Sequence, residues 1–247
     1  MHQRARPAAL PTSIPNSAPG VRHVKQQRSL QTQQALLAAG RELLKTTHDL
    51  PGLSVAQVAA AAGVAVGSFY SRFDDKNAWF AELTHQAALA AVADRQHLLG
   101  ASAMHRAAPA RKVLLLMQWL VQVHRDHQGI FRASVSDPAR THLYWVPLTR
   151  LCAQVDDLVY ALLAPDLPAG PGSARPANLH RPQRKPDRKP MGFALQMVFG
   201  TPVNAVLHDG GPVRLQDPTL AAALARNFLA SAGFAAPAAP GVRAPAG

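Results

Sequence analysis

The chain has 247 residues, 48% of them hydrophobic, with Lys+Arg 26 against Asp+Glu 14 and a formal net charge of +12. That balance points to a polyanionic partner, and the apolar content supplies a real core, which excludes disorder along the full length. A lone cysteine, Cys152, excludes an internal disulfide, and no apolar run approaches the roughly 18 to 20 residues of a membrane span, so a cytoplasmic protein with no membrane partner is expected.

Residues 1–27 carry Arg4, Arg6, Arg22 and Lys25, no acid, and the prolines Pro7, Pro11, Pro15 and Pro19. Proline removes backbone donors and blocks helix propagation, so a disordered basic arm is expected. From Leu30 to His48 the residues Leu36, Leu37, Leu43 and Leu44 form one stripe of an amphipathic helix, ended by Pro51-Gly52. Ser54 caps a second helix running to Ala62, and Gly63 supplies a left-handed turn. A short third helix spans Val66 to Arg72, and Asp75 caps a longer fourth that begins at Lys76 and carries Trp79, Phe80, Leu83, Leu89 and Val92.

After Pro109 a largely buried helix runs toward Gly129, a short one follows from Ile130 to Val135, and Asp137-Pro138 stops it. Leu143–Leu163 is another long helix, with Pro147 as a kink or start. Residues 165–190 form a proline-rich basic loop, whose stretch 175–190 holds Arg175, Arg181, Arg184, Lys185, Arg188 and Lys189 against Asp187. Met191–Leu207 and Thr219–Ala232 are the last two helices, and 235–247 is a disordered Ala/Pro/Gly tail. Nothing alternates like a strand for long, which predicts an all-α chain in two parts.

Residues 53–80 read as helix, glycine turn and second helix, the spacing in which one helix braces another across a DNA major groove. Together with the preceding helix this stretch resembles the N-terminal domain of the TetR/AcrR family of transcriptional repressors. The resemblance rests on Ser54-Val55, Val58-Ala59, Ala62-Gly63-Val64, Gly67-Ser68-Phe69-Tyr70, Phe73 and Asp75-Lys76. It implies a three-helix helix-turn-helix domain over 28–93 and a helical ligand-binding and dimerisation domain over 94–234. It further implies that Val66–Arg72 is the recognition helix, with Gly67, Ser68 and Ser71 nearest the base edges and Tyr70 and Lys76 on phosphates. Ser54, at its own helix start, and Val66, facing a thymine methyl, complete the expected DNA-binding set with Arg72. The chain departs from the family at Ala65 and Val66, where polar residues are common, and at Gly40, usually alanine, which costs the first helix about 1 kcal/mol of propensity.

Residues 42–93 hold Lys45, Arg72 and Lys76 against five acids, so the motif itself is not basic, and docking would lean on a few placed groups with help from the arm. The expected partners are a double-stranded DNA operator, a small hydrophobic or amphipathic effector, and a second copy of the chain paired through the last two helices. Met117, Trp119, His124, Phe131, Trp145, Phe193 and Met197 are the candidate pocket lining, although apolar side chains at helical spacing also suit plain core. His124, His127 and His142 lack a thiolate or carboxylate at ligand spacing, so neither metal nor cofactor is expected. No Gly-x-Ser-x-Gly elbow, phosphate-binding glycine loop or His-Glu-x-x-His occurs, which argues against an enzyme. The other reading is a non-specific, nucleoid-type DNA-binding protein that owes its affinity to the basic segments.

Overall fold

The structure, a computed structural model, describes residues 18, 20–22, 27–47, 49–100, 102–167, 188–208 and 211–234. The tail 235–247 and most of the 165–190 loop lie outside them, as does the arm apart from the residues named here. The helices are α1 (Gln27–Thr47), α2 (Val55–Ala61), α3 (Val66–Tyr70), α4 (Lys76–Gly100), α5 (Ser102–Arg106), α6 (Pro109–Asp126), α7 (Gln128–Val135), α8 (Thr141–Leu163), α9 (Lys189–His208) and α10 (Leu220–Ser231). The fold is all-α. Two elements go beyond the sequence reading: α5, and a 3-10 turn at Ala164–Asp166 that follows α8 directly.

The chain divides into two compact units. One comprises the residues up to Ala101 together with Val123–Asp157, and the other Ser102–Gln122 together with the residues from Leu158 onward. This division differs from the expected boundary at 93/94, because α7 joins the helix-turn-helix. The reason is a close backbone approach: a β-carbon on Gly129 would lie 2.3 Å from the Leu44 carbonyl oxygen, so only glycine lets α7 lie against the end of α1. Ser136, at the end of α7, accepts the Leu50 N–H at 3.2 Å and fixes the turn between α1 and α2.

The core of this first unit is aromatic. Phe69, Phe73, Trp79 and Phe80 are fully buried. Their rings stand 5.3 to 6.4 Å apart at tilted angles, and Tyr144 of α8 meets Phe80 edge-on at 4.7 Å. The Tyr144 hydroxyl donates to Asn77 Oδ1 at 3.1 Å, tying α8 to the start of α4. Burial pushes its pKa up to about 12, so the hydroxyl stays a donor at any physiological pH.

In the second unit α9 packs on α10, and Met191, Leu195 and Val198 of α9 and Leu220, Leu224 and Phe228 of α10 are all nearly or fully buried. The buried Lys112 of α6 is answered by Asp166 at 2.8 Å and by the Leu162 carbonyl, which explains the 3-10 turn: it carries the counter-charge for a lysine that the apolar helix α6 takes inside.

Candidate functional site

The helix-turn-helix is built as its sequence dictates. The Ser54 Oγ accepts the Gln57 N–H at 3.2 Å while Gln57 Oε1 accepts the Ser54 N–H at 2.8 Å, a reciprocal capping box that starts α2. Gly63 closes the turn at φ +67°, with open space where a β-carbon would stand, so the backbone angle and not crowding selects glycine. Val58 of α2 and Phe69 of α3, both fully buried, fill the angle between the helices. Ala65 leaves the start of α3 without a side-chain cap. Asp75 caps α4 by accepting the Ala78 N–H at 2.7 Å.

The expected DNA-binding residues separate into two groups. Val66, Gly67, Tyr70 and Ser71 lie on the exposed face of α3 and its end, with Tyr70 48% and Val66 41% exposed. A β-carbon on Gly67 would meet nothing within 4 Å, so nothing inside the protein requires glycine there. Ser68 is half-buried, and its carbonyl accepts the Ser71 hydroxyl at 2.9 Å.

Arg72 and Lys76 are engaged within the protein. Arg72 donates to the Ser29 carbonyl, the Ser29 hydroxyl, the Ser68 carbonyl and Ser71 Oγ at 2.6 to 3.1 Å, strapping the start of α1 to the end of α3. Lys76 Nζ donates to the carbonyls of Leu50, Pro51 and Leu53 at 2.8, 3.2 and 2.9 Å. An ammonium has three donors, and all three of these end on the turn between α1 and α2. Lys76 is thus a clamp on that turn.

The arm also departs from expectation. Its described residues are paired: Val21 bridges Phe73, Arg22 N donates to the Arg72 carbonyl at 3.0 Å, and Asp74 N to the Gly20 carbonyl at 3.4 Å. The Ala18 N–H reaches the buried Glu82 carboxylate at 2.6 Å, and the Arg22 guanidinium sits on Asp74 at 3.2 Å. Gly20 has φ +80°. A disordered arm over the whole of 1–27 is therefore corrected at 18 and 20–22, which lie beside the end of the recognition helix. The signal in the sequence was a glycine followed by Val21, a half-buried residue packed against the aromatic core.

The candidate pocket residues also separate. His124, Phe131 and Trp145 come together: the imidazole stacks on Phe131 at 4.6 Å, Phe131 meets Trp145 at 6.3 Å, and Trp145 Nε1 donates to Ser134 Oγ at 2.9 Å. Met117 is buried in α6 and Trp119 is half-buried there. Phe193 and Met197, by contrast, are 60% and 50% exposed on α9 and do not line the interior of their unit. Their spacing of four puts them on one outward face of that helix. Burial pushes the Cys152 thiol up to about 11, which keeps it protonated and unreactive.

Residues 36–83 match the sequence profile described as bacterial regulatory proteins, tetR family. No curated protein sequence matches the chain. Among solved structures, the fatty acid degradation regulator FadR from Bacillus halodurans matches with a TM-score of 0.54 at 16% identity, over 84% of this chain and 97% of that one, a likeness of fold. No helix among the described residues is long and apolar enough to cross a membrane. The match over 36–83, falling on a helix-turn-helix with the capped α2, the Gly63 turn and the exposed face of α3 described above, identifies this part of the chain as the DNA-binding domain found in bacterial regulatory proteins of the tetR family.

Proposed function

We propose that the chain is a dimeric, sequence-specific repressor that works in the cytoplasm and leaves its operator when a small hydrophobic or amphipathic ligand binds among the helices after residue 93. The observation that carries the DNA-reading part is Gly67. An alanine there would favour the helix by about 1 kcal/mol and would clash with nothing in the protein, so the absence of a side chain serves a partner that comes close to α3 from outside. Val66, Tyr70 and Ser71 flank that opening: Val66 offers an apolar surface for a thymine methyl, and the Tyr70 hydroxyl suits a phosphate or base-edge acceptor. Arg72 and Lys76 support this face by holding α1, α3 and the α1–α2 turn in place.

The outward Phe193 and Met197 support pairing of α9 and α10 with their copies in a second chain, since large apolar side chains on one helix face call for cover. Two recognition helices about 34 to 36 Å apart would read successive major grooves, and a ligand that favours another spacing would release the operator. Coupling of this kind is reciprocal, so operator DNA weakens ligand binding by the same factor. The name of the FadR neighbour makes fatty-acid-like amphiphiles the first ligands to try.

Footprinting on the DNA that flanks the protein's own gene, with Gly67→Ala and Tyr70→Phe beside the wild type, tests this reading. The expected result is a protected pseudo-palindrome that both substitutions weaken while the melting temperature stays within a few degrees. Smooth, sequence-independent and steeply salt-sensitive protection would instead establish the nucleoid-type reading.

A further inference from the structure

Arg95 lies near the end of α4 and is only 4% exposed. One and two turns earlier on the same stripe stand Ala91 and Ala88, at 1% and 0%, so the helix register carries this arginine inward. Its Nη2 donates to Gln154 Oε1 on α8 at 3.3 Å, whereas Nε and Nη1 are buried with no hydrogen-bond partner. Arg150, one turn before Gln154 on α8, likewise has a buried Nε with no partner. Residues four apart share a helix face, so the contact between Gln154 and Arg95 turns the Arg150 side of α8 toward α4.

No ion pair among the described residues involves either arginine. Burial is the influence that lowers the Arg95 pKa, and no carboxylate acts against it. A guanidinium keeps its charge in such a place, and a buried charge without a counter-ion is costly, so a fold gains nothing by keeping it unless something anionic arrives. The guanidinium fork fits a carboxylate or phosphate through two parallel N–H bonds. Gln154 and Arg150 alternate along α8 with the buried Leu151 and Val155, which gives the head and the apolar chain of one molecule neighbouring partners.

We propose that Arg95, assisted by Arg150 and positioned by Gln154, receives the anionic head of an amphipathic effector. This rests on the ligand-released reading above and narrows its effector to acids.

The test is calorimetric titration of the full chain with decanoate, decyl phosphate and decan-1-ol, each below its micelle concentration, on the wild type and on Arg95→Met and Arg150→Met. Decanoate or decyl phosphate should bind, the tighter of the two identifying carboxylate or phosphate as the natural head. Decan-1-ol should bind about tenfold to a hundredfold more weakly, the worth of one or two charge-assisted hydrogen bonds. Arg95→Met should remove that preference, and Arg150→Met should reduce it. Without ligand, Arg95→Met should melt above the wild type, because it removes a buried charge that nothing in the protein answers.

Equal binding of acid and alcohol, no binding of any probe, or an Arg95→Met protein that melts lower and keeps the preference would overturn the site and leave Arg95 as a structural residue solvated by buried water. A second measurement, release of operator DNA, separates this from failure of the broader reading. Release by decan-1-ol that Arg95→Met leaves unchanged removes the anion site and keeps the repressor. An acid that binds through Arg95 and leaves the DNA affinity unaltered keeps the site and removes ligand release.

Discussion

Trp79 occupies the space that a side chain on Gly40 would need: a β-carbon at residue 40 would lie 2.1 Å from Trp79 Cζ2. The indole is fully buried and donates its Nε1 proton to the Leu36 carbonyl at 3.3 Å, so it is held on α1 at both ends. Helix propensity alone makes Gly40→Ala stabilising by about 1 kcal/mol. The crowding is worth more, because the ring is locked between α1 and the Phe69 and Phe80 rings, and overpacking a tight core costs about 1 to 3 kcal/mol. Gly40→Ala is therefore expected to lower the urea midpoint at unchanged slope. A raised midpoint would show that Trp79 yields and that propensity decides.

Gly40 illustrates what the sequence conveys and what it withholds. Helix spans follow from local rules, and the leucine stripe of α1, the Ser54 and Asp75 caps and the left-handed Gly63 are all legible in the chain. Why position 40 must be glycine is not local, because the cause is a tryptophan 39 positions later. The same holds for the polar groups. A lysine at a helix start reads as a phosphate ligand, yet the carbonyls that take its donors come from a turn 23 to 26 residues earlier. Arg95 left one trace, its register with Ala88 and Ala91 on a buried stripe of α4, and that trace was open to sequence reasoning. Phe193 and Met197 are as apolar as any core pair, and only the packing of α9 on α10 shows that they face outward.

Lys76→Met follows from the clamp. The substitution removes three hydrogen bonds and strips the carbonyls of Leu50 and Leu53 of a charged donor in a half-buried turn. A loss of about 1 to 3 kcal/mol in unfolding free energy is expected. DNA affinity should fall as well, since Leu50 and Leu53 lie in the turn that leads into α2. The slope of log affinity against log salt should nevertheless match the wild type, because each lost phosphate contact lowers that slope by about one. A slope reduced by one unit, with stability unchanged, would return Lys76 to a phosphate.

His127, at the start of α7, sets a pH limit on the first unit. Burial lowers its pKa below the ordinary 6.5; Asp126 and Asp94 pull it back up, and Arg41 pushes it further down. Its Nδ1 is buried with no partner, so the neutral ring is the form that fits. With the folded value below the unfolded one, the unfolded chain binds the extra proton first as the pH falls, and stability rises with pH across that window. The contribution is complete above about 6.5, is lost as the pH falls toward the folded value, and is absent below it. Thermal melts from pH 7.5 to pH 5 should thus show a steeper fall for the wild type than for His127→Gln, with the two curves converging in slope above pH 7. Parallel curves throughout would mean that His127 takes up its proton in the folded chain as readily as in the unfolded one.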